Sequence, residues 1–185
     1  MIIRSIRAED AENFLHLCLQ LDNETQFMLF EPGERTTTVE EERQRLQGLL
    51  TQANQNIFVA EQAGQLAGFL GAFGGSLQRN RDCAYIVIGI LQAFAGQGLG
   101  TQFFQALDKW ASQQHLHRLE LTVMCHNAQA VHLYQKMGFQ IEGIKQDSLL
   151  VNGAYVDEFY MAKILKDEQN PPINANKKTA LPFLP

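Results

Sequence analysis

An apolar run, Ala84-Tyr85-Ile86-Val87-Ile88-Gly89-Ile90-Leu91, is closely followed by three glycines, Gly96, Gly98 and Gly100. The run's length and β-branched content predict a buried strand. Beyond it, Leu99, Phe103, Ala106, Leu107 and Trp110 recur at helical spacing with Gln102, Gln105, Asp108 and Lys109 between them, which predicts an amphipathic helix. Glycines let the backbone turn sharply here and leave N–H groups uncovered just where a helix's first N–H groups lack partners. The segment Gly96-Gln97-Gly98-Leu99-Gly100-Thr101 can therefore cradle a phosphate by its backbone. A plain tight turn between strand and helix needs the same small residues, and both readings stand at this point.

Two phosphate-binding loops fail on spacing. A nucleoside triphosphate loop requires Gly-x-x-x-x-Gly-Lys followed by Ser or Thr, and the chain has no such run. A dinucleotide loop requires a glycine three positions after Gly-x-Gly, where Thr101 or Phe103 stands instead. Glu120 lies where that fold places its ribose acid, but too little chain follows it for the further strand-helix units of a doubly wound sheet.

At 185 residues, 45% hydrophobic and 19% charged, the chain fits one soluble globular domain. No apolar run approaches the ~20 residues of a membrane span, and Met1-Ile2-Ile3-Arg4 leads into a charged segment, which predicts no secretory signal. A net charge of -5 argues against nucleic acid as a partner. Cys18, Cys83 and Cys125 are odd in number and widely spaced, a pattern of reduced thiols that predicts a cytoplasmic protein.

In chain order, Ile2, Ile3 and Ile6 predict a short first strand. Glu9, Asp10 and Glu12 then supply charge to a helix start, with Phe14, Leu17 or Cys18, and Leu21 as its buried stripe. Residues 22–37 have no clear period and read as a loop. Thr38 and Glu41 have the form of a capping box, and Leu46, Leu49, Leu50 and Ala53 give the following helix an apolar face as far as about Asn54. Strands follow at 57–61 and 66–73 around Ala63-Gly64, and a polar turn at 76–82 completes an antiparallel meander. After the glycine loop and its helix come a strand at 119–124 and a short helix from Asn127 to Met137 closed by Gly138. A hairpin then runs from Phe139 to Leu165 about Asn152-Gly153.

This order resembles the GCN5-related N-acetyltransferase (GNAT) superfamily. The family's glycine loop falls on Ala95-Gly96-Gln97-Gly98-Leu99-Gly100. Its second motif, Asn-x-x-Ala-x-x-Leu-Tyr-x-Lys-x-Gly-Phe, is matched by Asn127, Ala130, Leu133, Tyr134, Lys136, Gly138 and Phe139, about 30 residues further on. One position departs: the loop's usual first Gln or Arg is Ala95, with Gln97 the nearest polar side chain to offset it. The resemblance implies an α/β fold with a mixed, mostly antiparallel sheet of about seven strands, about four flanking helices and a V-shaped splay between the fourth and fifth strands. It covers residues 1–165, leaving 166–185 as a Pro-rich tail.

The resemblance further implies acetyl-CoA as cosubstrate, with no metal, and direct transfer of its acetyl group to a primary amine. Ile88, Gly89 and Ile90 would pair with the pantetheine arm, residues 96–101 would hold the pyrophosphate, and Asn127 and Lys136 would contribute nearby. Tyr134 would donate to the departing sulfur, and Glu120 is the first choice for the base, ahead of Glu24, Glu31 and Glu158 or a water chain. The acceptor pocket would draw on Phe27, Met28, Phe30, Glu24, Glu31 and Glu34, with Tyr155, Asp157 and Glu158 from the hairpin. Aromatics beside acids suit a small cationic amine. A peptide or ribosomal-protein α-amine and a non-catalytic acyl-CoA-binding domain are the alternatives, and no membrane or nucleic acid is expected as a partner. The apolar tail segment Leu181-Pro182-Phe183-Leu184-Pro185 suggests docking on a second subunit in a homodimer.

Overall fold

A computed structural model describes residues 1–165. The expected Pro-rich tail lies outside the described residues. The elements run β1 (Ile2–Ser5), α1 (Ala11–Glu24), α2 (Val39–Leu50), β2 (Gln55–Gln62), β3 (Gln65–Gly74), β4 (Cys83–Ile90), α3 (Leu99–Gln113), β5 (Arg118–Met124), α4 (Ala128–Lys136), β6 (Gln140–Val151) and β7 (Ala154–Ile164). Short 3-10 turns at Ala8–Asp10 and Gln92–Phe94 precede α1 and the glycine loop.

The seven strands form one sheet in the order β1-β2-β3-β4-β5-β7-β6. All neighbours are antiparallel except β4 and β5. Strand alternation sends Phe58 and Ala60 of β2 to the core beneath α3, and Ile57 and Val59 to the core beneath α1 and α2. Both faces of this half are covered, so its strands read as continuous apolar runs. In β5, Leu119, Leu121 and Val123 enter the α3 core, while Arg118, Glu120 and Thr122 take the other face.

The predicted capping box is present: the Glu41 N–H donates to Thr38 Oγ1 (3.3 Å), and the Thr38 N–H donates to the Glu41 carboxylate (2.8 Å). Asn152 and Gly153 both have positive φ, +50° and +78°, as the tight hairpin turn requires.

Three details of the first two helices differ from the sequence reading, and each involves a charged group in an unexpected place. Helix α1 continues to Glu24 because Asp22 turns inward, 3% exposed, onto Arg35 in the following loop (2.7 Å). Asp10 does not cap α1; its carboxylate takes both ends of the Arg4 guanidinium (2.7 and 2.8 Å) and the Arg7 N–H. Helix α2 stops at Leu50, which is exposed, and Ala53 lies beyond it; Glu42 is buried instead and paired with Arg45.

The α3 stripe is wider than the period suggests, since Phe104 is as fully buried as Phe103 and Leu107. No helix among the described residues is long and apolar enough to cross a membrane. Replacing Leu107 by Ala should cost about 3 kcal/mol, within the range for a fully buried leucine; a lower urea midpoint at unchanged slope would show it.

Candidate active site

Strands β4 and β5 pair only at Cys83↔Arg118, Ala84↔Leu119 and Tyr85↔Glu120. Beyond Tyr85, β4 remains bonded to β3 and β5 to β7, but not to each other, so the sheet opens in a V. The Gly75 N–H donates to the Cys83 carbonyl (3.1 Å), and the Leu91 N–H to the Ala67 carbonyl (3.0 Å). These two bonds fix the phase of the ladder. Odd-numbered residues of β4 turn their peptide groups to β3; Ile86, Ile88 and Ile90 turn theirs to the gap. Gly89 therefore bonds toward Phe69 of β3, and its lack of a side chain serves packing: a Cβ there would lie 2.7 Å from Leu21 Cδ1.

The glycine loop sits at the open end of this gap. Gly96 and Gly98 have φ of +73° and +79°, and Gly98 caps α3. A side chain would strain both, although open space surrounds their Cβ directions. Gly100 has a different reason, because a Cβ would stand 2.6 Å from Leu133 Cδ2, where α3 approaches α4. Among the described residues, no carbonyl or side chain accepts from the N–H groups of residues 96–101, and the first turn of α3 carries no acidic residue. Gln97 does not replace the missing side chain at Ala95, since its amide folds back onto the Ala93 carbonyl (3.0 Å).

Helix α4 adds its own groups to the gap. Asn127 caps it, its Oδ1 accepting from the Ala130 N–H (3.2 Å), and Lys136 is exposed in its last turn. Tyr134 is buried edge-on against Phe104 and near Phe139. Burial, with a smaller contribution from Tyr85, raises its hydroxyl well above the usual tyrosine range, so it stays an O–H.

The uncovered face of β4, β5 and β7 is polar. Glu120, paired with Tyr85 at the closed end of the V, accepts from Arg118 Nε (2.7 Å). Arg118 also pairs with Glu142. Glu158 is 6% exposed and accepts from Ser148 Oγ (2.5 Å) and Lys145 Nζ (3.0 Å). Burial pushes its carboxyl up, but hydrogen bonds from Ser148, Thr122 and Lys145 outweigh that and hold it below the usual range.

Sequence reasoning missed Tyr85, Thr122 and Tyr160. The one available signal was a tyrosine inside the most apolar run of the chain.

The loop between α1 and α2 straps this face. Asn152 Nδ2 donates to Gln26 Oε1 (3.2 Å), and the Phe27 ring lies 5.4 Å from that of His126. Glu24 accepts from the Gln92 N–H (2.9 Å), and the Arg35 guanidinium stacks 4.3 Å over Phe30. Glu34 accepts from the Glu31 N–H (2.8 Å) within the strap, Asp157 accepts from the Asp147 N–H (2.9 Å), and Tyr155 is exposed.

The sequence profile described as the Acetyltransferase (GNAT) family matches residues 16–139. The chain belongs to that family. This GNAT chain is 33% identical over 87 residues to the uncharacterized N-acetyltransferase YdgE of Bacillus subtilis, 47% of this chain and 55% of that relative, so the match spans about half the relative's length. It is 26% identical over 183 residues to the spermidine N(1)-acetyltransferase of Escherichia coli, 96% of this chain and 95% of that one. A GNAT-family acetyltransferase of Streptococcus pneumoniae superimposes with a TM-score of 0.86 at 28% identity, over 89% of this chain and 99% of that one. The fold is shared too with yncA of Salmonella typhimurium, a putative acetyltransferase solved with its cofactor acetyl-CoA: TM-score 0.81, 18% identity, 94% and 98% covered.

Acetyl-CoA suits what this GNAT chain offers: open N–H groups at a helix start for phosphates, and unpaired peptide groups on β4 for an amide-bearing arm. Glu158 also sets a pH response. A carboxyl depressed on folding contributes stability that is fully present above its ordinary value of 4.5 and is lost as pH falls through the lower folded value. The thermal midpoint should therefore drop on acidification below pH ~4.5, and Glu158→Gln should flatten that limb.

Proposed function

We propose that the chain transfers the acetyl group of acetyl-CoA to a primary amine on a small molecule. The observation that carries this reading is the conjunction of two backbone arrays without partners among the described residues, residues 96–101 and Ile88 with Ile90, along one gap. Bound there, acetyl-CoA would supply a thioester acyl group. The N–H groups of residues 96–101 hold the pyrophosphate, assisted by the positive end of the α3 dipole. Ile88 and Ile90 pair with the pantetheine amides; Gly89 keeps its bonds to β3. Asn127 has its amide N–H groups left to donate, and Lys136 is available to phosphate.

Tyr134 acts as the donor to the departing sulfur. Its hydroxyl holds its proton more tightly than a thiol with an ordinary pKa of about 8.5. Its contribution is therefore a hydrogen bond to developing negative charge rather than complete proton transfer. The amine's proton has a different route. Glu120, Glu158 and Glu24 are all engaged by hydrogen-bond donors. We accordingly assign Glu120 to holding Arg118 in place, with the proton leaving to water.

The strap from Gln26 to Asn152 favours a small acceptor over a folded protein's N-terminus, and the full-length relative whose printed name specifies spermidine agrees with a cationic one.

Acetyl-CoA and CoA should each raise the thermal midpoint, whereas NAD and ATP should not. Thiol release should follow addition of small amines and should rise with pH as the neutral amine grows. Tyr134→Phe should lower kcat about 100-fold with acetyl-CoA binding retained. Turnover confined to peptide α-amines would overturn the acceptor assignment, and CoA binding without turnover on any amine would favour a regulatory acyl-CoA domain.

A further inference from the structure

We propose that Glu24 and Gln92 form a latch that sets the path of the glycine loop, with Glu24 a positioning residue for the cofactor seat. The proposal rests on the reading of residues 96–101 as that seat and specifies what holds it in shape before a ligand arrives.

The glycines give this loop its turn but nothing to hold it. Gly96 and Gly98 have positive φ and face open space, and the N–H groups of residues 96–101 have no acceptor among the described residues. The loop's shape must therefore be imposed from its base, the 3-10 turn at Gln92–Phe94. One side of that turn is held by Phe94, which packs against the cores on both faces of the sheet. The other side is held by α1. Gln92 donates its N–H to Glu24 Oε2 (2.9 Å) and its side-chain amide to the Glu24 carbonyl (2.5 Å). Its own carbonyl accepts from the Ala95 N–H (3.1 Å). The carboxylate is steadied from within α1, where Gln20 Nε2 donates to Glu24 Oε1 (2.7 Å).

Each partner completes the other. Glu24 is the last residue of α1, and the carbonyls of a final helical turn lack partners within the helix. Gln92 opens a helical turn, whose first N–H lacks one in the same way. Gly89 brings the two within reach. Leu21 lies one turn before Glu24, Gly89 lies three residues before Gln92, and a Cβ on Gly89 would stand 2.7 Å from Leu21 Cδ1. Helix α1 thus settles on bare backbone at Gly89 and sets Glu24 against Gln92.

A carboxylate in this place runs against simple electrostatics. Gly96 follows Gln92 at a chain distance of at most about 14 Å, and a fixed negative charge near a pyrophosphate seat opposes the ligand. In the latch, the hydrogen bonds of Glu24 contribute more by ordering the loop than its charge takes away. A loop already in shape avoids the loss of conformational freedom that ordering it during binding would impose. The same residue leads into the strap, where Gln26 and Phe27 meet Asn152 and His126. The cofactor loop and the acceptor strap therefore share one anchor.

The sign of one measurement separates latch from charge. Calorimetric titration of CoA into the unaltered full chain, Glu24→Ala, Glu24→Gln and Gln92→Ala reads affinity for the seat. Amide exchange at Gln92 and Ala95 in the unliganded chains reads the latch itself. Glu24→Ala should weaken CoA about tenfold, the scale of one lost hydrogen bond, although it removes a negative charge. It should also speed exchange at both amides. Gln92→Ala should weaken CoA in the same direction. Glu24→Gln removes the same charge but keeps an oxygen to accept from Gln92, and should stay within about twofold of the unaltered chain. In turnover with spermidine, Glu24→Ala should raise the KM for acetyl-CoA while kcat holds, because Tyr134 stands on α4, outside the latch.

Unchanged or tighter CoA binding by Glu24→Ala, or an equal loss in Glu24→Gln, would overturn the latch. An unaltered chain that binds no CoA would sink the cofactor reading instead; amide exchange then decides the latch, faster in Glu24→Ala sustaining it and unchanged overturning it. An unaltered chain that binds CoA but acetylates no amine would sink the transferase reading, with the titrations still deciding the role of Glu24.

Discussion

The parting of β4 from β5 is the constraint on which the rest of the structure depends. A parallel ladder that ends after three pairs leaves main-chain donors and acceptors of Ile88 and Ile90 without a strand partner among the described residues, and an unsatisfied peptide group in a protein interior is costly. The sheet tolerates it because each strand is anchored from its other side. Strand β4 keeps its full antiparallel ladder to β3, and β5 keeps its ladder to β7. The large aromatic and aliphatic residues of α3, above all Phe103, Phe104 and Leu107, fill the core under the sheet and hold the two halves in one body. The fold is in this sense a sheet with a deliberate seam, and a ligand with its own amides is the natural occupant of that seam.

Several carboxylates on and around the open face are paired with basic side chains. Arg118 bridges Glu120 and Glu142, Lys145 meets Glu158, and Arg35 closes on Asp22 beneath the strap. Such networks bring their members little net stability, because desolvation offsets much of the attraction. Their effect is orientation: Arg118 holds Glu120 and Glu142 together, and Ser148 and Lys145 hold Glu158.

Much of this was legible in the sequence wherever a feature is local. The strand, the glycine turn and the helix after it announce themselves by period, and the second motif from Asn127 to Phe139 places α4 without further help. The capping box at Thr38 and the hairpin at Asn152-Gly153 are local as well. What could not be read depends on partners distant in sequence. Asp22 and Glu42 break the apolar stripes of α1 and α2, and only Arg35 and Arg45 make their burial intelligible. The alternation that turns Ile88 and Ile90, but not Gly89, toward the gap follows from the phase of the β3–β4 ladder. The hydrogen bond between Tyr85 of β4 and Thr122 of β5 depends on a strand register that no linear pattern encodes.

Ala95 bears on how such a chain can change over generations. A seat made of side-chain cations is lost when a codon for arginine or lysine mutates. Here the donors at residues 96–101 are peptide N–H groups that every residue except proline carries, and the side chain of Gln97 is occupied with its own loop. What such a seat requires is a backbone shape, secured by the positive φ of Gly96 and Gly98, together with the small Gly100 and the buried Leu99 that pack it against the core. A fingerprint that insists on a particular polar residue at the head of this loop reads a side chain, whereas the open groups of this loop are main-chain N–H groups.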